Sequence, residues 1–63
     1  MLNAEQRSIL KLFDLSSRES AITDIVVKLP FIKYPEMSGQ CQIIMKKITK
    51  MSDFEFGLLK KRL

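Results

Sequence analysis

Residues 35–51 read PEMSGQCQIIMKKITKM, and their periodicity decides the fold class. Met37, Cys41, Ile44, Met45, Ile48 and Met51 follow one another at steps of four, three, one, three and three. That spacing gathers them on one face of an α-helix. Lys46, Lys47 and Lys50 fall off the stripe and are expected to face water. A helix of this length spans about 25 Å, enough for shorter helices to dock along it. Pro35 suits the first turn and Glu36 the positive end of the dipole. Gly39 costs about 1 kcal/mol against Ala inside a helix; it marks either a close helix–helix contact or a frayed first turn.

N-terminal to this stretch, two more helices are expected. Asn3 and Gln6 have the spacing of a capping box. The helix they open covers residues 4–13, with Leu2, Ile9, Leu10 and Phe13 inward. After a tight connection at 14–16, Ser16 and Glu19 have the same spacing and predict a second helix. Its inner face is Ala21, Ile22, Ile25, Val26 and Leu29. Pro30 disfavours helical geometry at Leu29 and ends or kinks that helix. Phe31 and Tyr34, in the linker that follows, are expected to plug the end of the core.

C-terminal to it, Ser52 and Glu55 form a third capping-box pattern and start a short last helix over residues 53–61. Phe54, Leu58 and Leu63 are expected to face inward. Phe56 and Leu59 lie off that line and are the candidate partner surface. The connections are short, so neighbouring helices run roughly antiparallel. The expected fold is all-α: a compact bundle of three helices plus a short fourth C-terminal helix, one domain over residues 1–63.

The chain has 63 residues, 46% of them hydrophobic and 29% charged, which is a globular composition. A chain this short buries only about 60% of the surface its unfolded form exposes. Its core then supplies no more than about 3–5 kcal/mol. A single cysteine rules out an internal disulfide. Cys41, on the apolar stripe between Gln40 and Gln42, reads as a small core side chain kept reduced. Stability must come from tight helix packing or from a partner.

Catalytic chemistry has little to stand on. There is no histidine for acid–base work near neutral pH, and no obvious base to activate Ser or Cys. Gly39 and Gly57 stand alone, so no phosphate loop is formed. The carboxylates are scattered near helix ends, where caps and dipoles favour them. The chain is therefore expected to be non-enzymatic, with no metal and no cofactor. No apolar run approaches the ~20 residues of a membrane span. The N-terminal residues MLNAEQRS lack the basic and apolar regions of a signal peptide. A cytoplasmic protein with no membrane partner is expected.

The net charge of +4 is unevenly placed. Residues 1–45 carry five cations against five carboxylates. Residues 46–63 carry Lys46, Lys47, Lys50, Lys60, Lys61 and Arg62 against Asp53 and Glu55. These six cations are the candidate DNA contacts, of a sequence-independent and salt-sensitive kind. Base reading would call for Arg, Asn or Gln on an exposed helix. The link from Leu29 to Pro35 is too long for a helix-turn-helix. Contact with another protein, with a homodimer as one form of it, is the main expectation. Four methionines and a thin core suit it.

Two blocks carry a family resemblance. LFDLSSRESAI, residues 12–22, resembles the Ile-Tyr-Asp-Thr-Gly-Ser-Arg signature of the transposon-transfer assisting proteins, with Ser17 and Arg18 matching outright. MSDFEF, residues 51–56, is similar to that family's Met-Thr-Asp-Ala-Glu-Phe. These are small helical proteins of conjugative transposons, largely from Clostridium-type bacteria. The resemblance spans nearly the whole chain, and both blocks double as helix caps. It implies an accessory role in transposon transfer, through other proteins of the transfer machinery, with no assigned catalytic residue. Asp14, Ser17, Arg18, Asp53 and Glu55 are its matched polar positions, best read as caps and inter-helix hydrogen bonds. The chain departs from the family in its basic tail, Lys-Lys-Arg-Leu, where members are often acidic. It departs again at Pro30, inside a segment that usually continues as helix.

Overall fold

The apolar stripe of residues 35–51 forms one continuous helix. In the computed structural model, which describes residues 2–63, the elements are α1 (Ala4–Leu10), α2 (Arg18–Lys28), a 3-10 turn (Leu29–Phe31), α3 (Pro35–Lys50) and α4 (Asp53–Lys61). No strand occurs among the described residues. The fold is an all-α bundle of four helices. α1 and α2 each pack on α3. Cys41, Ile44 and Ile48 of α3 are fully buried, while Met37, Met45 and Met51 line the edge of the core. The Cα radius of gyration is 10.7 Å, against about 10.6 Å expected for a compact chain of this length.

Local chemistry explains where the helices begin. Asn3 Oδ1 accepts the Gln6 N–H at 2.8 Å, and Gln6 Oε1 accepts the Asn3 N–H at 3.1 Å. The expected capping box is thus present. Helix α1 is three residues shorter than expected. After Leu10 the chain tightens, with Leu12 N–H donating to Ile9 and Phe13 N–H to Leu10 at 3.0 and 3.1 Å. Those three-residue bonds still carry Phe13 into the core.

The cap of α2 is Ser17 rather than Ser16. Asp14 Oδ1 accepts both the Ser16 N–H and its hydroxyl, at 2.9 and 2.7 Å. Ser16 is thereby spent in a turn, and Ser17 Oγ accepts the Ser20 N–H at 3.0 Å. Glu19 falls one position short of the reciprocal site, so α2 has a cap without a box. Along α2 only a narrow stripe is buried. Ala21 and Ile25 are fully covered, but Val26, expected inside, is exposed. Leu29 keeps right-handed helical angles ahead of Pro30. The α-helix ends at Lys28, as expected ahead of Pro30, and the chain continues as a 3-10 turn over Leu29–Phe31. That turn sends Leu29 and Ile32 against the core and turns Phe31 and Tyr34 outward, 79% and 76% exposed. The expected aromatic plug is overturned; two aliphatic side chains take its place.

A Cβ added at Gly39 or Gly57 would meet nothing within 4 Å. Neither glycine marks a close helix approach. Ser52 and Glu55 form the expected capping box, with bonds of 2.9 and 3.1 Å. Among the described residues no helix is long and apolar enough to cross a membrane.

Candidate interaction surface

The face that α4 turns to the core is the reverse of the expected one. Phe56 and Leu59, the candidate partner surface, are 2% and 3% exposed and belong to the core. Phe54 and Leu58 are 75% and 46% exposed. Two helical stripes compete in this segment. Phe56, Leu59 and Leu63 recur at steps of three and four just as well as Phe54 and Leu58 do at four. The first of these stripes is the buried one, and the junction with α3 is tied separately by Arg18. Met51 leaves α3 with extended angles, and Arg18 holds the first residue of α4 from the side of α2. Arg18 Nε reaches Asp53 Oδ1 at 3.0 Å, and its Nη1 donates to the Thr49 carbonyl at 3.2 Å. One guanidinium thus ties the start of α2 to the last turn of α3 and the first residue of α4.

The other polar residues of the two blocks are occupied in the same way. Asp14 N–H donates to Asp24 Oδ2 at 2.8 Å, and Asp24 also takes Lys28 Nζ at 3.1 Å. Lys28 in turn lies 5.7 Å from the centre of the Phe13 ring. The Ser16 hydroxyl and N–H hold the Asp14 carboxyl below the usual carboxylate range. The Ser52 backbone N–H, then its hydroxyl, do the same for Glu55. Burial pushes the Cys41 thiol up, away from the reactive thiolate. Each matched polar residue (Asp14, Ser17, Arg18, Asp53 and Glu55) sits in a cap, a turn or a junction.

The six candidate cations do not form one patch. Lys46 and Lys50 lie a turn apart on α3, both exposed, with Lys46 outside the groove described below. Lys47, expected in water, is half-buried and donates to Gln6 Oε1 at 3.2 Å. Lys60 faces a separate depression beside Ser17, Arg18 and Asp53. Lys61 follows Leu58 by one turn, on the outward side of α4.

Lys47, Lys50 and Arg62 instead converge on a groove between the end of α3 and α4. It has a volume of about 430 Å³ and an apolar floor of Met51, Leu58 and Leu59. Glu55 is the one carboxylate lining it. A second depression, under Phe31 and Tyr34, mixes Glu5, Lys33 and Glu36 around Ile9, Ile32 and Met37. Among the described residues no group of three or more His, Cys, Asp or Glu converges as metal ligands would.

Gln6 has a second role that its capping-box spacing does not reveal. It is the one polar residue buried among those described, at 4% exposure. Besides closing the cap of α1, its Nε2 donates to Gln40 Oε1 at 3.1 Å, and its Oε1 accepts from Lys47. The signal in the sequence was weak: Gln40 and Lys47 sit two turns apart on the flank of the α3 stripe.

Compared with known proteins, the chain matches no family model, no curated protein and no solved structure.

Proposed function

We propose that this chain is a non-enzymatic accessory protein of a conjugative transposon, acting by binding another protein of the transfer machinery. The observation that supports binding is the exposed pair Phe54 and Leu58, one turn apart on α4, of which Leu58 lines the α3–α4 groove. Exposed apolar side chains clustered beside a groove suit a protein contact. The link to transfer rests on the two blocks at residues 12–22 and 51–56.

A second reading is weak, sequence-independent DNA binding. The exposed Lys46 and Lys50, a turn apart on α3, support it. The division of the remaining cations between a groove, a separate depression and the outer side of α4 favours the protein reading.

The test is the transfer frequency of an element lacking this gene, complemented by variants. Phe54→Ser with Leu58→Asp is expected to fail to restore transfer. Lys46→Glu with Lys60→Glu is expected to restore it. The reverse pattern would replace the protein reading with the DNA reading.

A further inference from the structure

We propose that the α3–α4 groove receives an acidic amphipathic helix of the partner protein. This rests on the reading of the chain as a protein-binding accessory, and it names the partner's chemistry. The floor, Met51, Leu58 and Leu59, is apolar, and the exposed Phe54 lies one turn before Leu58 on α4, outside the groove itself. A helix presenting apolar side chains at four-residue spacing matches that strip.

The rim is cationic. Lys50 and Arg62 are exposed on its two sides, with Lys47 deeper between α3 and α1. Its single carboxylate, Glu55, already accepts the Ser52 N–H. Lys61 extends positive charge along the outer side of α4 past Leu58. An occupant with carboxylates flanking its apolar stripe meets cations on both sides, which sets its orientation and speeds its encounter.

Other occupants fit less well. DNA would leave the apolar floor unused. A second copy lacks the required helix: α1 pairs Glu5 with Arg7, α2 mixes Glu19 and Asp24 with Arg18 and Lys28, α3 carries Glu36 against Lys46, Lys47 and Lys50, and α4 ends in basic residues. An anionic lipid surface shares the apolar-plus-cationic chemistry but is flat, whereas the groove is concave.

The test is an amide NMR titration of the labelled full chain with four probes. These are a synthetic helix with Leu at i, i+4 and i+7 and Glu elsewhere, its counterpart with Lys for Glu, a generic DNA duplex, and anionic phospholipid vesicles. The acidic helix is expected to shift the amides of Lys50, Met51, Glu55, Leu58, Leu59 and Arg62. Lys50→Glu with Arg62→Glu should weaken binding by about tenfold, the equivalent of about 1.4 kcal/mol. Leu58→Asp should abolish it, and Leu58→Ser, which adds no charge, should weaken it if Leu58→Asp disturbs the fold.

Equal binding of the Lys-containing helix would overturn the proposal. So would shifts confined to the Phe31 end, or tighter binding of DNA or vesicles through the same amides. If the acidic helix does not bind while Phe54→Ser with Leu58→Asp still blocks transfer, the partner class is wrong and the accessory role stands. If neither effect is seen, both fall.

Discussion

Gln6 shows how much a single polar side chain can hold in a thin core. It closes the cap of α1, bridges to Gln40 and takes a hydrogen bond from Lys47, all while almost fully buried. Gln6→Ala removes the reciprocal half of the capping box and strands the polar atoms facing it. The expected loss is about 1–3 kcal/mol, read by urea denaturation. Gln40→Ala, which leaves the cap intact, should lose less. The capping role was legible in the sequence because Asn3 and Gln6 stand at a diagnostic spacing. The bridge was not, because it depends on how α1 and α3 dock. The same limit governs Lys47: its place off the apolar stripe predicted exposure, but the flank it occupies is the one that faces α1.

At the scale of the elements, starts were more legible than faces. Asn3 and Ser52 cap where the sequence places them, since a capping box is a local bond between residues three apart. Ser16 and Ser17 offered two adjacent candidates, and Asp14 decides between them by taking Ser16 into a turn. Ser17→Ala is therefore expected to cost about 1 kcal/mol, and Ser16→Ala clearly less. Comparison of their thermal unfolding checks the assignment. The inward face of α4 was misread for a different reason: two stripes of similar quality share nine residues, and which one is buried depends on how α4 docks on the rest of the core, which local spacing does not carry. The helix end at Pro30 was legible, but the aromatics at 31 and 34 were not, because the 3-10 turn after it, which local spacing does not show, sets which side chains face the core. Gly39 and Gly57 are both helical, with negative φ and open space at the Cβ position. Gly39→Ala and Gly57→Ala should each raise stability by about 0.5–1 kcal/mol in the same denaturation experiment.

For the whole molecule, size is the governing fact. Among the described residues, eleven hydrophobic side chains make up the buried cluster, drawn from all four helices and the segments beside α1. Removing one large member touches a sizeable fraction of what holds the chain together. Ile44→Ala, at a fully buried site in the middle of α3, is expected to cost about 2–5 kcal/mol, comparable with the whole stability of about 3–5 kcal/mol for such a core. Far-UV circular dichroism at room temperature should show the variant largely unfolded, while Ile43→Ala, at a half-exposed neighbouring position, should keep its helices. That α1 and α2 both rest on α3 also orders events in time. The ribosome makes the two N-terminal helices before the surface that buries them exists. The first half of a nascent chain must wait, its apolar faces uncovered, until α3 has emerged to gather them, so this unit cannot complete its core before α3 has been made.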